Sequence, residues 1–265
     1  MSAFRALAGV DGCPAGWVAA IERRPGEGEL EVFPRFETLL ADLPGDALVV
    51  VDMPIGLPER ISGHGRGAEQ AVREGLGARR SSIFAIPARA VVEAAAGPRR
   101  AMAELAIAHA RVSTLARALS NPPRGVSRQG FMLFPKILEL DTLLRADPAL
   151  SERVLESHPE AAFARLNGGA AMAHPKKRKG IGEAPGLEER RAVLRRHDLP
   201  PALLGAPRPR GAGEDDRIDA CAMLLVARSA ARGEARPCPE PLERDAHGLP
   251  VAIWLPPCAS RDKSG

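Results

Sequence analysis

The sequence has no tyrosine, and only seven Phe and two Trp represent the aromatics. Proteins that hold single-stranded nucleic acid by stacking its bases need more aromatic platforms than this, which counts against that mode of recognition. Cysteine is sparse as well. Cys13, Cys221, Cys238 and Cys258 form no C-x-x-C pair and lie beside no histidine cluster, so they read as free thiols of a reducing compartment. No apolar run approaches the roughly 18 residues of a membrane span. The opening MSAFRALAGVDG lacks the charged-then-apolar pattern of a signal peptide, and a cytoplasmic location is expected. Lysine supplies only five of the 37 basic residues, so each lysine stands out. Phosphate-binding motifs are missing too. There is no G-x-x-x-x-G-K-[ST] loop, Gly125–Gly130 misses G-x-S-x-G by one residue, and no strand precedes the Gly63–Gly67 loop.

What is present describes a globular α/β chain. A protein of 265 residues buries roughly 75% of the surface its unfolded form exposes and needs no disulfides. The net charge of +4 is compatible with a polyanionic partner but is common without one. Apolar runs at 6–10 and 17–21, and alternation at 30–36, are separated by Gly12, Pro14, Gly16, Pro25, Gly26 and Gly28. That pattern predicts a three-stranded antiparallel meander. A short helix over 36–43 is followed by ALVVV at 47–51, a run suited to a central strand buried on both faces. Helices are predicted over 67–78, 101–119, 136–145, 159–166, 187–197 and 216–232, a strand over 153–157 and an edge strand over 250–255. The expected organisation is one mixed α/β domain over 1–258, with a helical insertion at about 57–150 and a disordered tail at 259–265.

The chemistry-bearing residues are acidic. Asp11 follows the first apolar run, Asp52 follows ALVVV, and Glu156 lies near the end of the 153–157 strand. Strand ends meet a sheet rim, where clefts form. Asp216 and Asp219 open the last long helix, and their i, i+3 spacing puts them on one face, with Asp215 an alternative at i, i+4 from Asp219. Taken singly, each is also explained as a turn residue or a helix cap. Taken together they match what Mg²⁺ or Mn²⁺ requires, because hard cations take carboxylate oxygens. Clustered carboxylates repel one another without a cation.

The segments GVDGCPAGW at 9–17, VVDMPIGLP at 50–58, GARRSSIF at 77–84, SRQGFMLFPKILELD at 127–141, ESHPEAAFARLNGG at 156–169, PKK at 175–177 and DDRIDACA at 215–222 resemble the predicted RNase H-like nuclease family, catalogued as domain of unknown function 429. The resemblance implies a ribonuclease H-like mixed sheet, three antiparallel strands followed by parallel ones, flanked by helices. It also implies a magnesium-dependent nuclease acting on nucleic acid, DNA or RNA, with a two-metal mechanism. Asp11, Asp52 and Asp219 match the acidic positions of the wider superfamily, and Glu156 matches an acidic residue that some relatives carry on the fifth strand. On that reading Asp11 bridges two ions, Asp52 and Glu156 complete one shell, and Asp219 with Asp216 the other. Glu69 stands where the family pattern leads one to expect Asp.

Substrate contacts are sought among basic and hydroxyl groups. Arg79, Arg80, Ser81 and Ser82 form a turn suited to phosphate. Lys136 precedes an amphipathic helix. Lys176, Lys177, Arg178 and Lys179 form a loop expected to be exposed and to clamp a nucleic-acid backbone. His158, two residues after Glu156, is placed on the same strand face as a proton shuttle. His109 lies in an apolar helical stripe and reads as core. Two rival functions remain: a sugar-kinase or actin-like phosphotransferase, which shares an Asp followed by a Gly-rich hairpin as in Gly9–Gly16, and a non-catalytic nucleic-acid or ligand binder.

Overall fold

The computed structural model describes residues 4–97, 102–178 and 181–258. The predicted tail at 259–265 and Lys179 lie outside the described residues. The meander forms as the turn residues dictate: β1 (Leu7–Cys13), β2 (Gly16–Arg24) and β3 (Glu27–Phe33) are paired antiparallel. After α1 (Phe36–Asp42), the apolar run becomes β4 (Leu48–Asp52), which lies parallel to β1. β5 (Val154–Glu156) then pairs parallel to β4, which gives the order β3-β2-β1-β4-β5. β4 is an interior strand, and every residue from Leu48 to Val51 is buried, because both faces are covered.

The chain between β4 and β5 is largely helical: α2 (Gly67–Arg73), α3 (Arg89–Glu93), α4 (Met102–Ala118) and α5 (Arg128–Ala146). The helix predicted over 67–78 stops early. Beyond Arg73 the chain winds into 3₁₀ turns over Glu74–Ser82, broken by Gly77 at φ 47°. α5 begins well before residue 136, since the Ser127 hydroxyl accepts from the Gly130 N–H as an N-cap and Pro135 is carried inside the helix. One core lies on this side, where Val49, Val51 and Val154 meet Phe36, Val91, Val112, Phe134 and Ile137.

The opposite face is covered by α9 (Glu214–Ala231), with α6 (Pro159–Leu166), α7 (Ala184–Arg195) and α8 (Pro201–Gly205) introduced before it in the chain. α9 is buried almost all round because it lies between the sheet and the α6 and α7 helices. Its approach to β1 is very close. A Cβ on Gly9 would lie 1.9 Å from the Leu224 nitrogen and 2.2 Å from the Ala220 oxygen, so helix backbone rests directly on strand backbone. The strand predicted at 250–255 is present as β7 (Pro250–Leu255). It pairs not with the main sheet but with β6 (Arg236–Arg244), which the sequence reading missed. Pro237, Pro239 and Pro241 interrupt β6 and confine it to an edge ribbon. Among the described residues no helix is long and apolar enough to cross a membrane.

Candidate metal centre

Asp11 and Asp52 are register partners on adjacent parallel strands, at the carboxyl-terminal end of both. Their side chains therefore leave the sheet on the same face, the face covered by α9. Asp219, in the second turn of α9, is buried against them. One carboxylate oxygen from each of the three lies within 4.8 Å of the other two. Asp11 Oδ1 accepts from the Gly12 N–H at 2.6 Å. Asp219 Oδ2 accepts from Lys176, but Asp219 Oδ1 is buried and has no hydrogen-bond partner among the described residues. A buried, unpartnered carboxylate oxygen is costly, and a cation is the partner that such a cluster fits.

The electrostatics agree. Burial, then repulsion from Asp52 and Asp219, raises the Asp11 carboxyl well above the ordinary range. Burial raises Asp52 to about 8 and Asp219 to about 6, despite the attraction of Lys176 to both. Burial also disfavours the Lys176 ammonium, yet Asp219, Asp11 and Asp52 outweigh it and hold that lysine firmly protonated. These three carboxylates thus favour positive charge among them and could hold a metal ion.

Glu156 does not join them, and the reason is the two-residue period of a strand. Its register partner on β4 is Val51, not Asp52, so it leaves the sheet on the opposite face. There its two oxygens meet Arg66 Nη2 at 2.5 Å and Nη1 at 3.0 Å, and it accepts from the Ile55 N–H at 2.7 Å. Arg66 is fully buried. It also pairs with Glu69 and donates to the carbonyls of Ile55 and Gly56. Neighbouring ties hold the same loop: Leu57 N–H donates to Asp245, and Asp245 in turn pairs with Arg89, which grips Asp141 bidentately. Glu156 therefore fixes the 53–58 loop that leaves Asp52, rather than a metal shell. Asp216 lies beside Asp11 electrostatically but spends one oxygen capping α9, accepting from the Gly213 N–H at 2.8 Å.

The basic groups distribute differently from the sequence expectation. Lys177 is exposed, as expected, but both Lys176 and Lys177 are engaged in ion pairs. Lys176 pairs with Asp219 and Lys177 with Asp215, because the acidic start of α9 faces their loop. Arg79 is used structurally, donating to the carbonyls of Met172 and Ala173 at the base of that loop, whereas Arg80 and Ser81 are exposed. Lys136 donates to the Gly16 carbonyl and stands 4.5 Å over the Trp17 ring. Its stem crosses Gly12, where a Cβ would lie 2.8 Å from Lys136 Cδ, and burial lowers its pKa. His158 shares no strand face with Glu156, since β5 ends at Glu156 and His158 is the N-cap of α6. Its Nδ1 accepts from the Glu160 N–H at 3.2 Å. Burial and Lys176 lower it to about 3, so it is neutral. His109 packs edge-on to Phe131 and bonds the Val126 carbonyl, as a structural residue does.

Several buried charges escaped the sequence reading, Arg66 and Glu160 among them. Arg66 sits in a Gly-rich loop and looks exposed on paper. Glu160 is 4% exposed, with Oε1 on Arg190 at 2.5 Å and Oε2 without a partner among the described residues. Its charge adds to those raising Asp52 and Asp219. The one signal for it was its place in the first turn of a helix opened by Pro159 at a strand end.

Compared with known proteins, residues 9–244 match the model of a family described as a protein of unknown function, DUF429. No curated protein and no solved structure matches the chain.

Proposed function

Since the chain belongs to the DUF429 family, whose description carries no activity, its function is argued from the site: we propose a metal-dependent nuclease of ribonuclease H-like fold that hydrolyses phosphodiester bonds of nucleic acid with Mg²⁺ or Mn²⁺. The observation that carries this reading is the convergence of Asp11, Asp52 and Asp219 within 4.8 Å from two strands and a helix. The sheet order, three antiparallel strands and then two parallel ones with the acids at the β1 and β4 ends, supports the fold assignment made from the sequence motifs.

In this reading Asp11, Asp52 and Asp219 hold the ion. Asp216, one turn before Asp219 and close to Asp11, is the carboxylate available to a second one. Divalent ions in such a site supply an activated water and neutralise charge on the phosphoryl oxygens. The chain's own groups orient the substrate. Lys176, Lys177 and Lys136 present ammonium groups around the acids, and Arg80 and Ser81 lie exposed. Neutral His158, whose Nδ1 is taken by the Glu160 N–H at the start of α6, is not placed to act as an acid.

The test uses labelled single- and double-stranded DNA and RNA, with Mg²⁺, Mn²⁺ or EDTA, on the wild type and Asp11→Asn. Asn keeps the shape and removes the charge. Loss of an outer ligand contact costs about 10–100-fold, and loss of a direct ligand costs at least that, so cleavage falls about 100-fold or more. Folding is retained, because one charge leaves a mutually repelling set. Cleavage that survives EDTA, or that is equal in the variant, rejects the reading.

A further inference from the structure

Lys176 is seated unlike an ordinary surface lysine. The backbone leading to it is pinned on every side. Arg79 donates to the carbonyls of Met172 and Ala173, Glu189 accepts from the N–H groups of Ala173 and His174, and Arg190 donates to the His174 carbonyl. A Cβ on Gly186 would lie 1.9 Å from the Pro175 oxygen, and Glu183 N–H donates to the Lys176 carbonyl. The backbone is thus held by these contacts, while the Lys176 side chain is 28% exposed, so its stem has a route to solvent that needs no unfolding. From this anchored base its ammonium reaches Asp219 Oδ2, the same carboxylate whose other oxygen is buried and without a hydrogen-bond partner among the described residues. Its next neighbour behaves differently: Lys177 pairs with Asp215, outside the three-carboxylate cluster.

We propose that Lys176 is a built-in competitor of the metal ion: its ammonium neutralises Asp219, yields that carboxylate when a divalent cation binds, and is then left at the cleft for a substrate phosphate. This rests on the reading of Asp11, Asp52 and Asp219 as a metal centre. The exchange is one of cation for cation: the Lys176–Asp219 hydrogen bond gives way to coordination of the ion, and no covalent bond is made or broken. An ammonium and a divalent ion cannot share one carboxylate oxygen at close range without strong repulsion, so binding of the ion requires the stem to swing out. The affinity for metal is thereby set below what the three carboxylates alone would give, and the ammonium becomes available to phosphate at the moment the centre is loaded.

The experiment is calorimetric titration of Mn²⁺ into the full chain, without nucleic acid, for the wild type, Lys176→Met, Lys176→Gln and Lys177→Met, with melting curves of each. Removing a unit charge a few ångströms from the ion tightens binding by about tenfold or more in both Lys176 variants. Lys177→Met changes it less. Without Mn²⁺ the Lys176 variants melt below the wild type, and saturating Mn²⁺ restores them. If one Lys176 variant does not fold, the other carries the comparison. Equal or weaker Mn²⁺ binding in the Lys176 variants, beside clear binding in the wild type, overturns the exchange and leaves the metal centre standing. Tightening of the same size in Lys177→Met also overturns it, since general charge removal would then be the cause. Absence of binding in all four proteins overturns the metal centre itself, and this inference with it.

Discussion

The contact between α9 and β1 is the joint that delivers Asp219 to Asp11, and Gly9→Ala breaks it. The added Cβ would lie 1.9 Å from the Leu224 nitrogen, 2.2 Å from the Ala220 oxygen and 2.5 Å from the Met223 carbon. Ordinary contact begins near 3.4 Å, so helix and strand must separate by about 1.5 Å at this point. Both sides are backbone and neither can turn aside. Overpacking of this kind typically costs about 1–3 kcal/mol, and the backbone clash places it at the upper end. At about 2–4 °C per kcal/mol for a chain of this size, the melting temperature falls by roughly 6–12 °C. Asp219 immediately precedes Ala220, and Asp11 is two residues beyond Gly9, so the same shift opens the 4.8 Å cluster. Mn²⁺ affinity therefore drops by about tenfold or more, since displaced ligands cost at least as much as disturbed outer contacts. The assay is scanning calorimetry with Mn²⁺ titration, and Gly45→Ala is the control, because a Cβ there meets nothing within 4 Å. A Gly9→Ala protein that melts like the control and binds Mn²⁺ unchanged would refute the reasoning.

Arg66→Met removes the cation that Glu69 and Glu156 share and leaves both carboxylates buried. Breaking a buried pair costs about 3–5 kcal/mol, read as a lower urea midpoint, and a change under about 1 kcal/mol would show that the network is not structural. The pH dependence follows from Asp52, raised by burial to about 8. The folded protein keeps a proton there that the unfolded chain releases near pH 4. That contribution is full below about pH 4 and is lost as pH rises through about 8, so metal-free stability declines across that window. Asp52→Asn flattens the decline, and an unchanged slope between wild type and variant in a melting series would contradict it.

Much of the site was legible because it sits where apolar runs end. β1 and β4 announce themselves by ALAGV and ALVVV, and each run is followed by an acid of the cluster, Asp11 or Asp52. The α9 face that docks on the sheet follows from Ile218, Ala222 and Leu225 after the acidic start. Glu156 was misplaced because β5 spans only Val154–Glu156: three residues do not reveal which face each side chain takes, and the Val51 register partner that decides it comes from the pairing of distant chain segments. The 175–179 loop has the composition of a solvated basic surface, and only the tertiary position of Asp219 turns Lys176 toward the acids, while Lys177 stays exposed and pairs with Asp215. Arg66 was invisible for the same reason, and Glu160 showed only its first-turn position after Pro159, which does not reveal the buried pairing with Arg190. The β6 strand was hidden by its own prolines, which local propensity reads as a breaker and which an edge ribbon tolerates.

The central claim, that Asp11, Asp52 and Asp219 form a metal centre, is tested most directly by anomalous diffraction from crystals soaked in Mn²⁺. The account predicts an anomalous peak at about 2.0–2.3 Å from one oxygen of each of the three carboxylates, with the Lys176 ammonium moved off Asp219, and a weaker second peak toward Asp216 if two ions bind. Well-ordered density for the three carboxylates with no anomalous peak among them, and Lys176 still on Asp219 at saturating Mn²⁺, would contradict it.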